Sequence, residues 1–529
     1  MSDAVRVYGG RKRGARKVRR RRHGGKVFVA VVVIVAGWVI WSTRDAHPVE
    51  SLVPANRAYH VMARDVFVKR ARLAESQIWK ALPPQLGAAD VPAKLSQDVG
   101  VPQWILNNLV PGACYVTGND VKNFSDLLVV TRMTRVGTLL EKLRGFFPAI
   151  DKDYAGGLKL HKMGGLYYGV RGRVLLLSAS RPGLIEALTL LPGDAVGAEA
   201  LEQMAQALGD ADIYGRFQLA EDDPLGDVIE RGTFSLRIDK TAATAACQSM
   251  LRPTWREKMA GLLEGVTPRT LESPPDGLLR VSLDLGKPVE ALWHCAGTTF
   301  GKQGEMDQLW AKWTAAPEEG ESSISYTALG LLGGLGPGMR VSLVGVDLNE
   351  IVPAPEVAAT LEADPAKLLE AFKGLPAPPE GSQPWETYLR YDETAQVVRL
   401  PLIGGPSLEP TAGVKGNALV MSSSRTVAES MLADPATANP PALPKPGNVY
   451  AALKPHDCGK AAFDVAMMLA EAGLLRNYSP QTLQDKYGPW LESAAGVKEV
   501  SALAGYDSGN VTLELGMVCS DAAPHTPAP

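Results

Sequence analysis

Two arginines, Arg181 and Arg425, hold the same place in two similar stretches of this chain and are its best candidates for binding chemistry. Each stands at a predicted helix start beside serines, where open backbone N–H groups could help hold an anion. The ordinary alternative is an arginine that lays its stem on a sheet edge and pairs with a nearby carboxylate. That structural role is the outcome we expect. The other reactive residues are weaker candidates. The histidines (His23, His47, His60, His161, His294, His456, His525) are scattered, and none forms a close metal-binding pair. No nucleophile elbow, phosphate loop or dinucleotide turn is present. Glu221, Asp222 and Asp223 lack the spaced oxygens of a calcium loop and read as a solvated turn. His294 and Cys295 are neighbours on a predicted helix, so their side chains point apart. Cys114, Cys247, Cys295, Cys458 and Cys519 are too far apart for a CxxC motif and read as small hydrophobes, with one or two disulfides as the alternative. No catalytic residue, metal or cofactor is expected.

The elements that place the two arginines are legible. Residues 169–188 align without a gap on residues 413–432. Arg171-Gly172 and Lys415-Gly416 supply tight turns, with glycine free to take positive φ. Val174–Leu177 and Ala418–Met421 are apolar return strands, and Ser180 and Ser424 stand where N-caps belong. Leu139–Leu143 resembles Leu368–Phe372, each a helix after an apolar strand. Tyr214 and Tyr450 begin similar strands downstream. Leu279, Val281 and Leu283 share one face of a closing strand, as do Val511, Leu513 and Leu515. The grammar is α+β: two homologous halves, 50–315 and 320–518, each a mainly antiparallel sheet with helices on one face. The repeat is inexact, since the helix Gly459–Leu475 has its counterpart later in the first half, near Thr241–Leu263. Leu329–Gly338 reads as a short helix and linker between the halves, and 519–529 as a disordered tail.

The N-terminus gives location. Residues 1–26 carry eleven Lys/Arg against Asp3, a charge of +10. Val27–Thr43 is an uncharged stretch of 17 residues, enough to cross a hydrocarbon core of about 30 Å with help from a snorkelling Lys26. Trp38 and Trp41 suit the far interface. The positive-inside rule then gives a single-pass protein with a cytoplasmic tail at 1–26, a transmembrane helix at 27–43 and everything else extracytoplasmic. The absence of a small-residue cleavage site argues against a signal peptide. The basic tail should touch anionic lipid headgroups. With −2 for the whole 529-residue chain, the remainder after residue 26 carries −12, which suits an ordinary globular domain and not a nucleic-acid binder.

The order of basic tail, span, Val53–Tyr59, the Trp79 helix, Val110–Tyr115, Leu127–Val130 and the strand-to-helix step at Leu175–Ser180 resembles bacterial single-span envelope proteins with a duplicated periplasmic domain of unknown function. The resemblance runs over roughly residues 52–518 and rests on short motifs. It implies location in the bacterial inner membrane with a periplasmic ectodomain, and supplies no catalytic residues. The expected role is a non-enzymatic binding or scaffold module for an envelope protein or an amphiphile held between sheet and helices. An envelope hydrolase with unrecognised residues is the rival.

Overall fold

The computed structural model describes residues 47–64, 103–120, 125–143, 151–155, 157–163, 166–223, 225–299, 301–314, 334–348, 353–375, 380–381, 389–401 and 406–520, with Val33, Gly37 and Thr43. The basic tail, the Trp79 helix, residues 521–529 of the expected 519–529 tail and all but three residues of the expected span lie outside these; Cys519 ends the last strand. Among the described residues no helix is long and apolar enough to cross a membrane.

The described chain is α+β. After a 3-10 turn at Val49–Leu52 comes β1 (Tyr59–Ala63), then α1 (Gln103–Leu109), β2 (Cys114–Gly118), β3 (Leu128–Arg132) and α2 (Arg135–Leu143). Strands β4 (Asp151–Ala155), β5 (Leu158–Met163), β6 (Leu166–Arg171) and β7 (Val174–Ser178) lead into α3 (Arg181–Leu188) and α4 (Ala198–Leu208). Then come β8 (Ile213–Gln218), β9 (Ile229–Ile238), β10 (Ala242–Leu251), α5 (Pro253–Lys258), α6 (Ala260–Leu263) and β11 (Leu279–Asp284). Helices α7 (Val289–Thr299) and α8 (Gln303–Thr314) precede β12 (Leu335–Asp347), β13 (Ala354–Ala363) and α9 (Pro365–Lys373). Strands β14 (Arg390–Asp392), β15 (Val397–Arg399), β16 (Thr411–Lys415) and β17 (Ala418–Ser422) are followed by α10 (Arg425–Ala433) and α11 (Pro435–Ala438). The chain closes with β18 (Val449–Leu453), α12 (Pro455–Glu471), α13 (Pro480–Ala494), β19 (Val497–Asp507) and β20 (Asn510–Cys519).

All these strands join one sheet, and every pairing is antiparallel. Across it the order is β4-β5-β6-β7-β3-β2-β1-β8-β9-β10, then β20-β19-β18-β11-β12-β13-β17-β16-β15-β14. The hairpins read from the sequence are present. Gly172 and Gly416 turn them at φ 60° and 58°, a left-handed conformation that costs other residues energy. Local chemistry also fixes the helix starts. Ser180 Oγ accepts from Gly183 N at 3.3 Å, and Asp364 Oδ1 accepts from Ala366 N at 3.0 Å. Each is followed by proline in the first turn, where its missing N–H costs nothing.

Four expectations are corrected. Helices cover both faces of the sheet, not one. On one face α3 packs Leu184, Ala187 and Leu188 against Val174 and Leu176, and α10 packs Met431 against Ala358 and Val420. On the other, α1 brings Leu109 to Ala63 and Cys114, and α9 brings Leu368 and Phe372 to Leu419. Because β7 and β17 are apolar at successive positions, both of their faces need cover. The long helix expected near Thr241–Leu263 is instead β10 and two short helices. Its alanines favour a helix, but β9 and β20 pair with it on both sides, and tertiary pairing overrides propensity. Residues 335–338 of the expected linker belong to β12. Gly336 and Gly338 leave room there for the Glu362 side chain. Finally β11, read as the last strand of the first half, pairs with β12 and β18.

Candidate functional site

The site begins with how residues pair across the ladders. Directly opposite residues share a face, so a row can be followed from strand to strand. From Leu236 in β9 it passes to Ala245, Leu515, Ala502, Ala451 and Val281. It continues through Val341, Ala359, Met421 and Ala412 to Val398. The parallel row on the same face runs Phe234, Cys247, Leu513, Ala504, Val449 and Leu283, then Met339, Leu361, Leu419 and Val414. Neither row contains a charged or hydrogen-bonding side chain apart from the Cys247 thiol. At about 4.8 Å per strand the ten strands from β9 to β16 make a strip roughly 40 Å long.

Burial on the sheet is inverted along the middle of this strip. On the apolar face Leu279 is 40% exposed, Leu513 38% and Leu515 44%. On the opposite face Ser282, Arg340, Ser342 and Thr360 are buried. The segment before β11 crosses that polar face. Ser342 Oγ donates to Pro275 O at 2.7 Å, and Arg340 meets Glu272 at 3.2 Å. Asn448 reaches Thr267 O at 2.8 Å and Asp284 O at 3.1 Å. A sheet folding only for stability would cover its leucines, since burying one fully is worth about 1.5–3 kcal/mol. Here the hydrogen-bonding face is covered, and the leucines are left partly open. Open apolar surface of this kind is where proteins commonly take up a partner or ligand.

The strip leads to a cavity of about 500 Å³ beside α9. Phe372, Leu375, Leu389, Val398 and Met421 line it, with Thr411, Ser422 and Ser423 among its few polar residues. Its size suits a small-molecule or acyl-chain site. Contact along the strip is non-directional, so it would select for apolar length and not for a particular polar group.

The sequence-predicted residues lie elsewhere. Arg181 and Arg425 are the first residues of α3 and α10, and those helices pack on the covered face. Arg425 is held by Glu429 at 2.8 Å and Glu409 at 3.7 Å; the charge-assisted bond to Glu429 raises its already high pKa. Ser180 caps its helix, but Ser424 does not, because its hydroxyl is engaged with Thr426 Oγ1 at 2.8 Å. Asp223 accepts from Ala220 N at 2.8 Å in the turn the sequence suggests. His294 Nδ1 meets Asp307 at 2.8 Å, away from Cys295. The described residues include all five cysteines, and no disulfide joins them. Burial pushes the thiols of Cys114, Cys458 and Cys519 up. No group of three or more His, Cys, Asp or Glu among the described residues could hold a metal. The strip has only a partial signal in the sequence, the apolar alternation at Leu279–Leu283 and Val511–Leu515. That pattern identifies an apolar face but not whether anything covers it.

No known family matches the chain, and no curated protein does. Crystal forms IV and III of TP0453 resemble part of it. Form IV gives a TM-score of 0.25 at 9% identity over 41% of this chain and 85% of that one. Form III gives 0.25 at 7% over 44% and 90%. Likeness at that level carries no functional information.

Proposed function

We propose that this chain is a non-enzymatic, membrane-anchored binding module that holds the hydrocarbon of an amphiphile on the apolar face of its sheet. The observation that carries this reading is the inverted burial, with partly open leucines on one face and covered serines, threonines and Arg340 on the other. The +10 tail and uncharged stretch at 27–43 support a single-pass inner-membrane anchor. The tail lies on anionic headgroups and the sheet is outside the cytoplasm. A lipid-facing strip close to a bilayer would take its ligand from that membrane.

The same proposal includes a tandem origin for the sheet. Adding ten to every strand number in the pairings within β1–β10 returns the pairings within β11–β20. Registers agree as well: Tyr214 lies opposite Met62 as Tyr450 lies opposite Ser282. Propagated to the seam, the equivalent residues Ala246 and Glu514 face each other, as an isologous two-fold requires. Pro54 bridges to Ala195 ahead of β1 and β8, and Glu272 to Ala442 ahead of β11 and β18. On this reading the boundary falls between β10 and Glu272, and β11 opens the second unit.

Photocrosslinking tests the ligand. A fatty acid carrying a diazirine in its chain is photolysed with the full chain in membranes. Adducts are expected on peptides of β10, β19 and β20, and replacing Leu513 and Leu515 together by Glu should remove them. Adducts confined to 27–43, unchanged by the double replacement, would sink the amphiphile reading.

A further inference from the structure

A second cavity, of about 450 Å³, opens on the other face of the sheet over β8, β9 and β10. Its chemistry is the reverse of the apolar strip. Three arginines line it, Arg57, Arg216 and Arg231, and none of the lining residues is acidic. Arg57 is already neutralised, its Nη1 on Asp126 at 2.9 Å and its Nη2 on Glu186 at 2.7 Å. Arg216 and Arg231 are not. Arg216 lies opposite Thr233, and Arg231 lies opposite Gln218 two residues on, so both guanidiniums leave the same face of adjacent strands. Among the described residues neither pairs with a carboxylate, and Arg231 Nη2 meets the Met250 sulfur at 3.5 Å.

The surroundings are built to keep this positive charge unanswered. His60 also lines the cavity. It is buried, with Nε2 on Ala55 O at 3.1 Å. Gln248 and Asn510 contribute amides to the same wall, and Thr233 a hydroxyl. Two like charges on one face of adjacent strands repel. An anion with several oxygens relieves that repulsion and accepts from both forks at once, which suits a phosphate group better than a single-point acceptor.

We infer that Arg216 and Arg231, with Thr233, Gln248 and Asn510, form a binding site for a phosphate-bearing anion on the face opposite the apolar strip. The cavity is larger than the phosphate alone, so the group belongs to a small phosphorylated molecule or to a phospholipid headgroup. The site does not depend on the amphiphile reading, because it shares no residue with the strip.

The test uses the full chain in detergent at low salt. Calorimetric titration with glycerol 3-phosphate, and with inorganic phosphate, reads the soluble source. Phosphorus assay of lipid retained through purification reads the headgroup source. Saturable binding in either arm is expected. Arg216→Ala and Arg231→Ala should each weaken it by roughly tenfold or more, the scale of a charge-assisted hydrogen bond. Lysine at either position should restore part of the loss, and added salt should weaken the wild type. Arg237→Ala, on the same strand but paired with Asp239 at 3.0 Å, should change nothing. If the folded wild type shows no saturable phosphate binding and retains no phospholipid that the two alanine variants lose, the site does not exist. Equal binding by wild type and both variants would overturn it as well.

Discussion

At the scale of single residues, His60 is a group whose charge is costly in the fold. It is 5% exposed, and burial, with the nearby Arg216 guanidinium, lowers its pKa to about 4. A histidine in the unfolded chain titrates near 6.5. Between those values the unfolded state binds the proton and the folded state does not, so stability is full above pH 6.5 and falls as the pH drops towards 4. The whole window is worth about 3 kcal/mol. Thermal melts from pH 7 to pH 4 should show this slope, and His60→Asn should flatten it; an unchanged slope in the variant would place the acid sensitivity elsewhere. Gly118 is a second pressure point. A Cβ there would clash with the Tyr59 hydroxyl and stand 2.8 Å from Asp126 Oδ1. Gly118→Ala should therefore cost about 1–3 kcal/mol in denaturant titration, the usual penalty of overpacking. Arg425→Ala, which removes only partly exposed ion pairs, should cost about 0–1 kcal/mol. A larger loss would mean that the helix start depends on it.

At the scale of elements, the two hairpins at Gly172 and Gly416 make a matched pair. Both glycines have positive φ, 60° and 58°, where a Cβ costs about 1–2 kcal/mol. Gly172→Ala and Gly416→Ala should destabilise by similar amounts, and a gap much above 1 kcal/mol would argue against equivalent turns. These hairpins were readable in advance because their signal is local: a glycine turn, a run of apolar residues and a serine before a helix. The α+β grammar followed from the same pieces, as did the helices at Leu139 and Leu368. What the sequence hid is set by distant partners. The segment Ala242–Leu251 looks helical by composition and becomes a strand only because β9 and β20 flank it. The neighbours of β11, β12 and β18, are hidden for the same reason. The apolar strip was half visible, since alternation at Val511–Leu515 gives a face but not its exposure. Arg216 and Arg231 gave no signal, being 15 residues apart in the chain and brought together only by register.

At the scale of the molecule, one ladder among the described residues, β10 with β20, joins everything from β4 to β10 to everything from β20 to β14. A protease site inserted beside Gly265, an exposed glycine with φ 73° in the crossing between β10 and β11, tests how strong that seam is. After cleavage the two pieces should still elute together from a sizing column, because the Ala242–Met250 ladder and the bond from Leu251 N to Gly509 O at 2.9 Å remain. Separation without denaturant would show that the covalent crossing, and not the seam, holds the sheet together. The seam also has a consequence in time. Met250 must wait for Asn510, so during synthesis the backbone of β10 stays an open template until nearly all of the described chain has emerged. A contact so distant in sequence forms slowly, and an open edge beside partly exposed leucines invites pairing with the wrong molecule. A chain of this design should depend on a holding chaperone during synthesis more than its final stability would suggest.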